Sequence, residues 1–169
     1  MLYLKNNLFQ DLSSYIPDGF KENSTTCIQT WYTKKDSELM IGTIDHLAKE
    51  VFSNIDLESN RVSFLPLPES FEIPSIGPRI LWTNKYGPNQ RTGFHTHSDP
   101  LFLKTANHFA IYVLAVGSQT ETLSFIDSVG IQQDIAVSPG DLFICHHSQL
   151  HGALPVKEYL CAMMFKINV

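Results

Sequence analysis

His108-Phe109-Ala110-Ile111-Tyr112-Val113-Leu114-Ala115-Val116, closed by Gly117-Ser118, is the stretch whose reading decides the fold. It is apolar almost throughout, rich in β-branched and aromatic residues, and ends in turn chemistry, so it reads as a buried strand. A membrane span needs about 18 apolar residues, and this run is far shorter. Working outward, the same pattern recurs over 121–127, 131–137, 141–145 and 158–168 downstream, and over 79–86 and 93–97 upstream. Gly87-Pro88-Asn89 and Pro139-Gly140 punctuate these runs. Shorter runs at 2–5 and 26–33 are expected to extend the sheets. One segment has a different period. Met40, Ile44, Leu47, Ala48, Val51, Phe52 and Ile55 recur at spacings of three and four after the capping candidates Asp36 and Ser37, which predicts a helix over 36–55. Its polar face carries Asp45, Lys49, Glu50 and a solvated His46. Many short strands after one helix predict a mainly β chain, a sandwich or jelly roll with an N-terminal helical buttress.

The 169 residues suit one domain spanning 1–169. Hydrophobic residues make up 43% and charged residues 17%, a globular balance. The net charge of −5 and the lack of any Lys/Arg run work against a phosphate-backbone partner. Cys27, Cys145 and Cys161 are odd in number and lack CxxC spacing, which points to free thiols and a reducing compartment. The start shows no apolar stretch behind a basic end. A cytoplasmic protein with no membrane partner is the expectation.

Chemistry concentrates in Gly93-Phe94-His95-Thr96-His97-Ser98-Asp99. Side chains alternate along a strand, so His95, His97 and Asp99 project to one side if the chain stays extended. A His and a carboxylate two apart can grip one metal ion, and a second His completes a facial set that leaves positions open. The second half is the run from Pro139-Gly140-Asp141 to His151-Gly152. A turn launches a strand there, a polar turn ends it, and His151 opens the next run, which can return a distant ligand to His97.

Asn84-Lys85-Tyr86-Gly87-Pro88, His97-x-Asp99, and Pro139-Gly140-Asp141 followed by His151 resemble the 2-oxoglutarate- and Fe(II)-dependent dioxygenases over about residues 79–168. The resemblance implies a double-stranded β-helix with the metal barrel over 79–168. It implies Fe(II) on His97, Asp99 and His151, with 2-oxoglutarate touched by Asn84 and Tyr86 as in the alkylation-repair branch. It further implies molecular oxygen as co-reactant and hydroxylation of a substrate C–H bond. Trp82, Asn84 and Tyr86 fall on one strand face independently of the resemblance. One departure stands out. The family holds the far carboxylate of 2-oxoglutarate with an Arg after the second His, and this chain has no Arg beyond His151. Lys157, or failing that Lys104, is the substitute, supplying charge without the bidentate fork.

Two rival readings use the same residues. His95, His97 and His151 resemble the three-His site of the cupins, although the usual Glu after His-x-His is missing from Ser98-Asp99-Pro100-Leu101-Phe102. A metal-free jelly-roll binding module is the third class. Elsewhere, His146 and His147 read as turn residues, His108 as a satisfied strand end, and Trp82 as core. Tyr112, on the same face as His108, can line a pocket or pack in the core. Arg91 and Lys85 read as solvated loop residues, with attraction of an acidic substrate as the sharper view. The substrate class expected is a small metabolite or a residue in a flexible peptide. The apolar residues 100–103 are expected at the pocket rim.

Overall fold

The computed structural model describes residues 1–4, 16–19, 23–32, 81–97 and 108–167. The helix expected over 36–55 lies outside them. The described residues contain ten strands: β1 Leu2–Leu4, β2 Ile28–Trp31, β3 Leu81–Tyr86, β4 Thr92–His95, β5 His108–Val116, β6 Glu121–Ile126, β7 Gln132–Val137, β8 Leu142–His146, β9 His151–Ala153 and β10 Leu160–Ile167. They form two antiparallel sheets, ordered β1-β8-β5-β10-β3-β2 and β4-β9-β6-β7. This is a jelly roll, as the strand pattern predicts.

The stretch that opened the reading, 108–116, becomes β5, flanked by β8 and β10 inside the larger sheet. Its residues 108–114 are all buried, which is why the run is nearly continuous in apolar residues rather than alternating. Alternation still sorts the two faces. Phe109, Ile111 and Val113 join the core between the sheets together with Phe125, Phe143, Leu160 and Met164. His108, Ala110 and Tyr112 therefore belong to the opposite face.

Two turns are fixed by their residues. Asp141 N–H bonds to the Ser138 carbonyl at 3.1 Å, and Gly140 takes φ 89°. Proline second and a positive-φ residue third make a type II turn, for which glycine is the natural choice. In the other turn Gln90 N–H bonds to the Gly87 carbonyl at 3.1 Å, with Pro88 second and Asn89 at φ 63° third. Asn89 and Gln90 then exchange backbone bonds with Val156 at 2.7 and 2.8 Å, which pins the entry to β4 against the approach to β10.

Strands β4 and β9 approach closely at Gly152, in β9. A Cβ added there would lie 2.8 Å from the Thr92 carbonyl oxygen and 3.3 Å from Gly93 backbone atoms. Backbone cannot swing away as a flexible side chain can, so Gly152→Ala must push β4 from β9. The expected cost is about 1–3 kcal/mol, in the range of overpacked cores. Chemical denaturation at neutral pH reads it; an unchanged midpoint would show that the two strands separate freely.

Candidate metal centre

The β4–β9 pairing places His95 directly opposite His151. Beyond the end of β4 the chain continues to His97, whose N–H bonds to the His147 carbonyl at 2.9 Å. The three rings converge. Centroid separations are 5.3 Å for His95–His97, 4.4 Å for His95–His151 and 5.1 Å for His97–His151. One ring nitrogen from each lies within 4.8 Å of the others. Phe109, at 4.6 Å from both His97 and His151, forms the apolar floor, and Trp82 meets the His97 ring edge-on at 5.6 Å.

Hydrogen bonding selects the tautomers. Nδ1 of His95 lies 2.9 Å from the Gly93 carbonyl, and Nδ1 of His151 lies 3.0 Å from the Gln149 carbonyl. A carbonyl only accepts, so both Nδ1 atoms carry the proton and both Nε2 atoms keep a lone pair. Orientation of a ring by a backbone carbonyl through its second nitrogen is the usual support of a ligating histidine. Nε2 of His151 is buried and has no hydrogen-bond partner among the described residues. Burial holds the His151 imidazole well below its ordinary pKa, His95 and His97 push in the same direction, and the bond to Gln149 opposes them. His151 is therefore the neutral, metal-ready form. A buried lone pair left unsatisfied is costly, and a cation among these three rings would satisfy it.

A cleft of about 510 Å³ opens beside the cluster. Its walls include Trp82 and Asn84 from β3, Gln29 and Trp31 from β2, Met164 from β10, and residues 91–93 leading to His95 and His97. The register explains the first group: Gln29 pairs with Asn84, Trp31 with Trp82, and Met164 with Trp82. A chain of hydrogen bonds fixes this wall. Trp31 Nε1–H donates to Gln29 Oε1 at 3.1 Å, Gln29 Nε2–H donates to Asn84 Oδ1 at 3.1 Å, and Asn84 Nδ2–H meets Met164 Sδ at 3.4 Å. Trp31 stacks on Trp82 at 4.9 Å yet stays 58% exposed. Tyr86 is buried and shares a 2.7 Å hydrogen bond with the Thr92 hydroxyl, and burial above all pushes its phenol up, so it stays neutral.

The sequence reading meets this geometry unevenly. His97, His151 and Asn84 come together, and Tyr86 sits behind Thr92 in the same wall. Asp99, Lys104 and residues 100–103 lie outside the described residues. Lys157 has partners of its own: its Nζ donates to the Thr120 carbonyl at 3.0 Å, and its N–H to Glu121 Oε2 at 3.0 Å. His151 lies opposite Phe125 on β6, and Glu121 is four residues back along that strand, roughly 13 Å away. Lys85, read from sequence as a solvated loop residue, is instead buried in β3, with Nζ bonded to the Pro17 carbonyl and lying over the Tyr159 ring. Tyr112 faces away from the cleft. Gln29 and Trp31 were not singled out from sequence, although the cross-strand tryptophan pair is a signal that strand pairing would have supplied.

No family model matches the chain, and neither does any curated protein sequence. Solved structures do. A prolyl hydroxylase from Trichoplax adhaerens, in complex with a peptide fragment of the hypoxia inducible factor oxygen degradation domain, superposes with a TM-score of 0.60 at 9% identity, covering 98% of this chain and 82% of that one. A prolyl-4-hydroxylase from Pseudomonas putida gives a TM-score of 0.57 at 13% identity, covering 88% and 72%. A cupin superfamily protein from Desulfitobacterium hafniense gives 0.46 at 12%, covering 98% of both chains. The two hydroxylases show the fold that the sequence resemblance implies.

The other described histidines form a separate group on the other face of the large sheet. His108 pairs in register with His146, their rings 5.3 Å apart, and His146 lies 4.1 Å from His147. His146 Nδ1 and the Ser148 hydroxyl lie 2.7 Å apart. Burial lowers the His108 pKa to about 4, with help from His146, His147 and the amino terminus. The unfolded chain takes up this proton near pH 6.5 and the folded chain only near 4. Stability contributed by neutral His108 is thus complete above pH 6.5 and drains away as pH falls toward 4. Urea unfolding at pH 7 and pH 5 should show a smaller loss for His108→Gln than for the parent chain. Equal losses would mean that the ring is already charged in the folded state.

Proposed function

We propose that the protein is an Fe(II)- and 2-oxoglutarate-dependent oxygenase that hydroxylates a small metabolite or a residue of a flexible peptide. The observation that carries this reading is the convergence of His97 and His151, with a buried Nε2 on His151 that no described residue satisfies, beside a cleft walled by Asn84. The third ligand in this reading is Asp99, whose carboxylate adds the anion that suits a divalent iron. Bound there, iron supplies the activation of molecular oxygen, coupled to oxidative decarboxylation of 2-oxoglutarate.

The chain's own residues do the rest. Gly93 and Gln149 carbonyls orient the rings of His95 and His151. Phe109 and Trp82 keep the inner end of the cleft apolar and short of water. Asn84 and, through Thr92, Tyr86 offer neutral hydrogen-bonding groups to the cosubstrate. The peptide arm of the substrate class draws support from the peptide complex of the Trichoplax hydroxylase. Free Cys27, Cys145 and Cys161 suit the cytoplasm, and no helix among the described residues is long and apolar enough to cross a membrane.

A second reading is favoured by one observation: His95, not only His97, reaches His151. In it the three imidazoles bind the metal as in a cupin, without 2-oxoglutarate. Anaerobic Fe(II) titration separates the two. On the proposed reading Asp99→Ala weakens Fe(II) by more than the roughly 10–100-fold that loss of an outer partner costs, while His95→Ala stays within that range. The reverse ranking assigns the site to three histidines. Addition of 2-oxoglutarate to the Fe(II) protein should develop a visible charge-transfer band; its absence at saturating 2-oxoglutarate would sink the oxygenase reading.

A further inference from the structure

A ladder of contacting rings joins the His97 imidazole to solvent. Trp82 meets that ring edge-on at 5.6 Å, and Trp31 stacks on Trp82 at 4.9 Å with 27° between the planes. Burial changes sharply along it. Trp82 is 3% exposed and Trp31 58%, so two indoles lead from the core to the water. The pairing of β2 with β3 builds this arrangement, because Trp31 stands in register with Trp82 and the two side chains share one face.

Trp31 is held in place despite its exposure. Its Nε1–H donates to Gln29 Oε1, and Gln29 Nε2–H donates to Asn84 Oδ1, each at 3.1 Å. A large aromatic side chain left mostly in water, yet fixed by a chain of hydrogen bonds, has a role that core packing does not supply. Ring chemistry narrows that role. Phe109 touches His97 and His151, and a phenyl ring resists oxidation. An indole gives up an electron far more readily, and π-systems at contact distance pass one quickly.

We propose that Trp82 and Trp31 form a relay that discharges oxidising equivalents from the metal to the surface when no substrate is present. The relay rests on the oxygenase reading for its oxidant, a two-electron oxidant made from molecular oxygen and 2-oxoglutarate. In each step Trp82 reduces the metal centre by one electron, and Trp31 returns one electron to Trp82. Oxidised Trp31 then releases its Nε1 proton to water, and a thiol in solution restores the ring by giving back a hydrogen atom. Two such steps consume two thiols, whose S–H bonds break and whose sulfurs join as a disulfide. The oxidant's oxygen atom leaves as water, formed with two protons that match those released at Trp31. The net reaction is oxidation of thiol by surplus oxidant, and the ligand histidines are spared.

The test exposes the Fe(II) protein, without substrate, to oxygen and 2-oxoglutarate, and in a separate arm to hydrogen peroxide, which needs no cosubstrate. Peptide mass spectrometry locates oxidised residues in the parent chain, Trp82→Phe and Trp31→Phe, beside metal-free controls. Iron-dependent oxidation of Trp31 is expected in the parent, and glutathione suppresses it while turning into its disulfide. Trp82→Phe breaks the ladder, so oxidation of Trp31 falls to the metal-free level although Trp31 stays at the surface. In Trp31→Phe the oxidation stops at Trp82, and disulfide formation falls to the metal-free rate. This second variant alters a surface residue and keeps the test decisive should Trp82→Phe fail to fold. Iron-dependent oxidation of Trp31 that persists in Trp82→Phe overturns the relay, since exposure alone then explains it. Undiminished disulfide formation in Trp31→Phe, or oxidation that settles on Met164 or Cys27 of the cleft wall instead of Trp31, overturns it too. A relay that works with peroxide but not with oxygen and 2-oxoglutarate stands, while the oxygenase reading falls. A parent chain that holds no Fe(II) removes both.

Discussion

His95 faces His151 because β4 and β9 pair antiparallel with a one-residue register shift between Thr92 and His95, and the rest of the site is built on that pairing. A slip by one residue would send every side chain of β9 to the other face of the sheet. Gly152 guards the register: only a residue without Cβ lets the Thr92 carbonyl come so near. The His97 N–H to His147 carbonyl bond extends the contact past the end of β4. The site is therefore a junction between two distant segments, held by backbone bonds and lined by side chains whose directions follow from alternation.

The described walls of the cleft carry no acid, and four of the described carboxylates work at turns and strand ends instead. Glu121 accepts the N–H groups of Lys157, Glu158 and Tyr159. Glu158 accepts from Ser118 and Gln119, which holds its carboxyl below the usual range. Asp141 accepts from Ser138 and Tyr3, and Asp127 closes the β6–β7 turn through Val129 and Ile131. Carboxylates that satisfy backbone donors at turns fix the ends of strands. The same placement ties Lys157 to the Glu121 turn.

Much of this architecture was legible in the sequence. The continuous apolar run 108–116, the Pro139-Gly140 and Pro88-Asn89 turns, and the alternation of Trp82, Asn84 and Tyr86 are local signals, and local signals survive folding. His97 and His151 were legible because their neighbours carry turn and strand chemistry at each end. The cleft wall was not, because Gln29, Trp31, Asn84 and Met164 meet only through the pairing of β2, β3 and β10. Lys157 stands close to His151 in sequence but is carried to the Glu121 end of β6 by the chain between β9 and β10. Position along a chain says little about position along a sheet when the connection doubles back.

The staple between His97 and His147 has a consequence for the order of assembly. The loop it closes joins segments far apart in sequence, and such contacts cost closure entropy before they return any stabilisation. Hairpin β6–β7 can form from neighbours, whereas the three imidazoles meet only after β4 has docked on β9. A metal ion held by these rings would thus meet its cage at the end of folding, too late to template the sheets. Its binding energy would go to the finished state and not to the transition state, making it a lock on unfolding that lengthens the lifetime of the native protein and leaves the speed of its formation untouched.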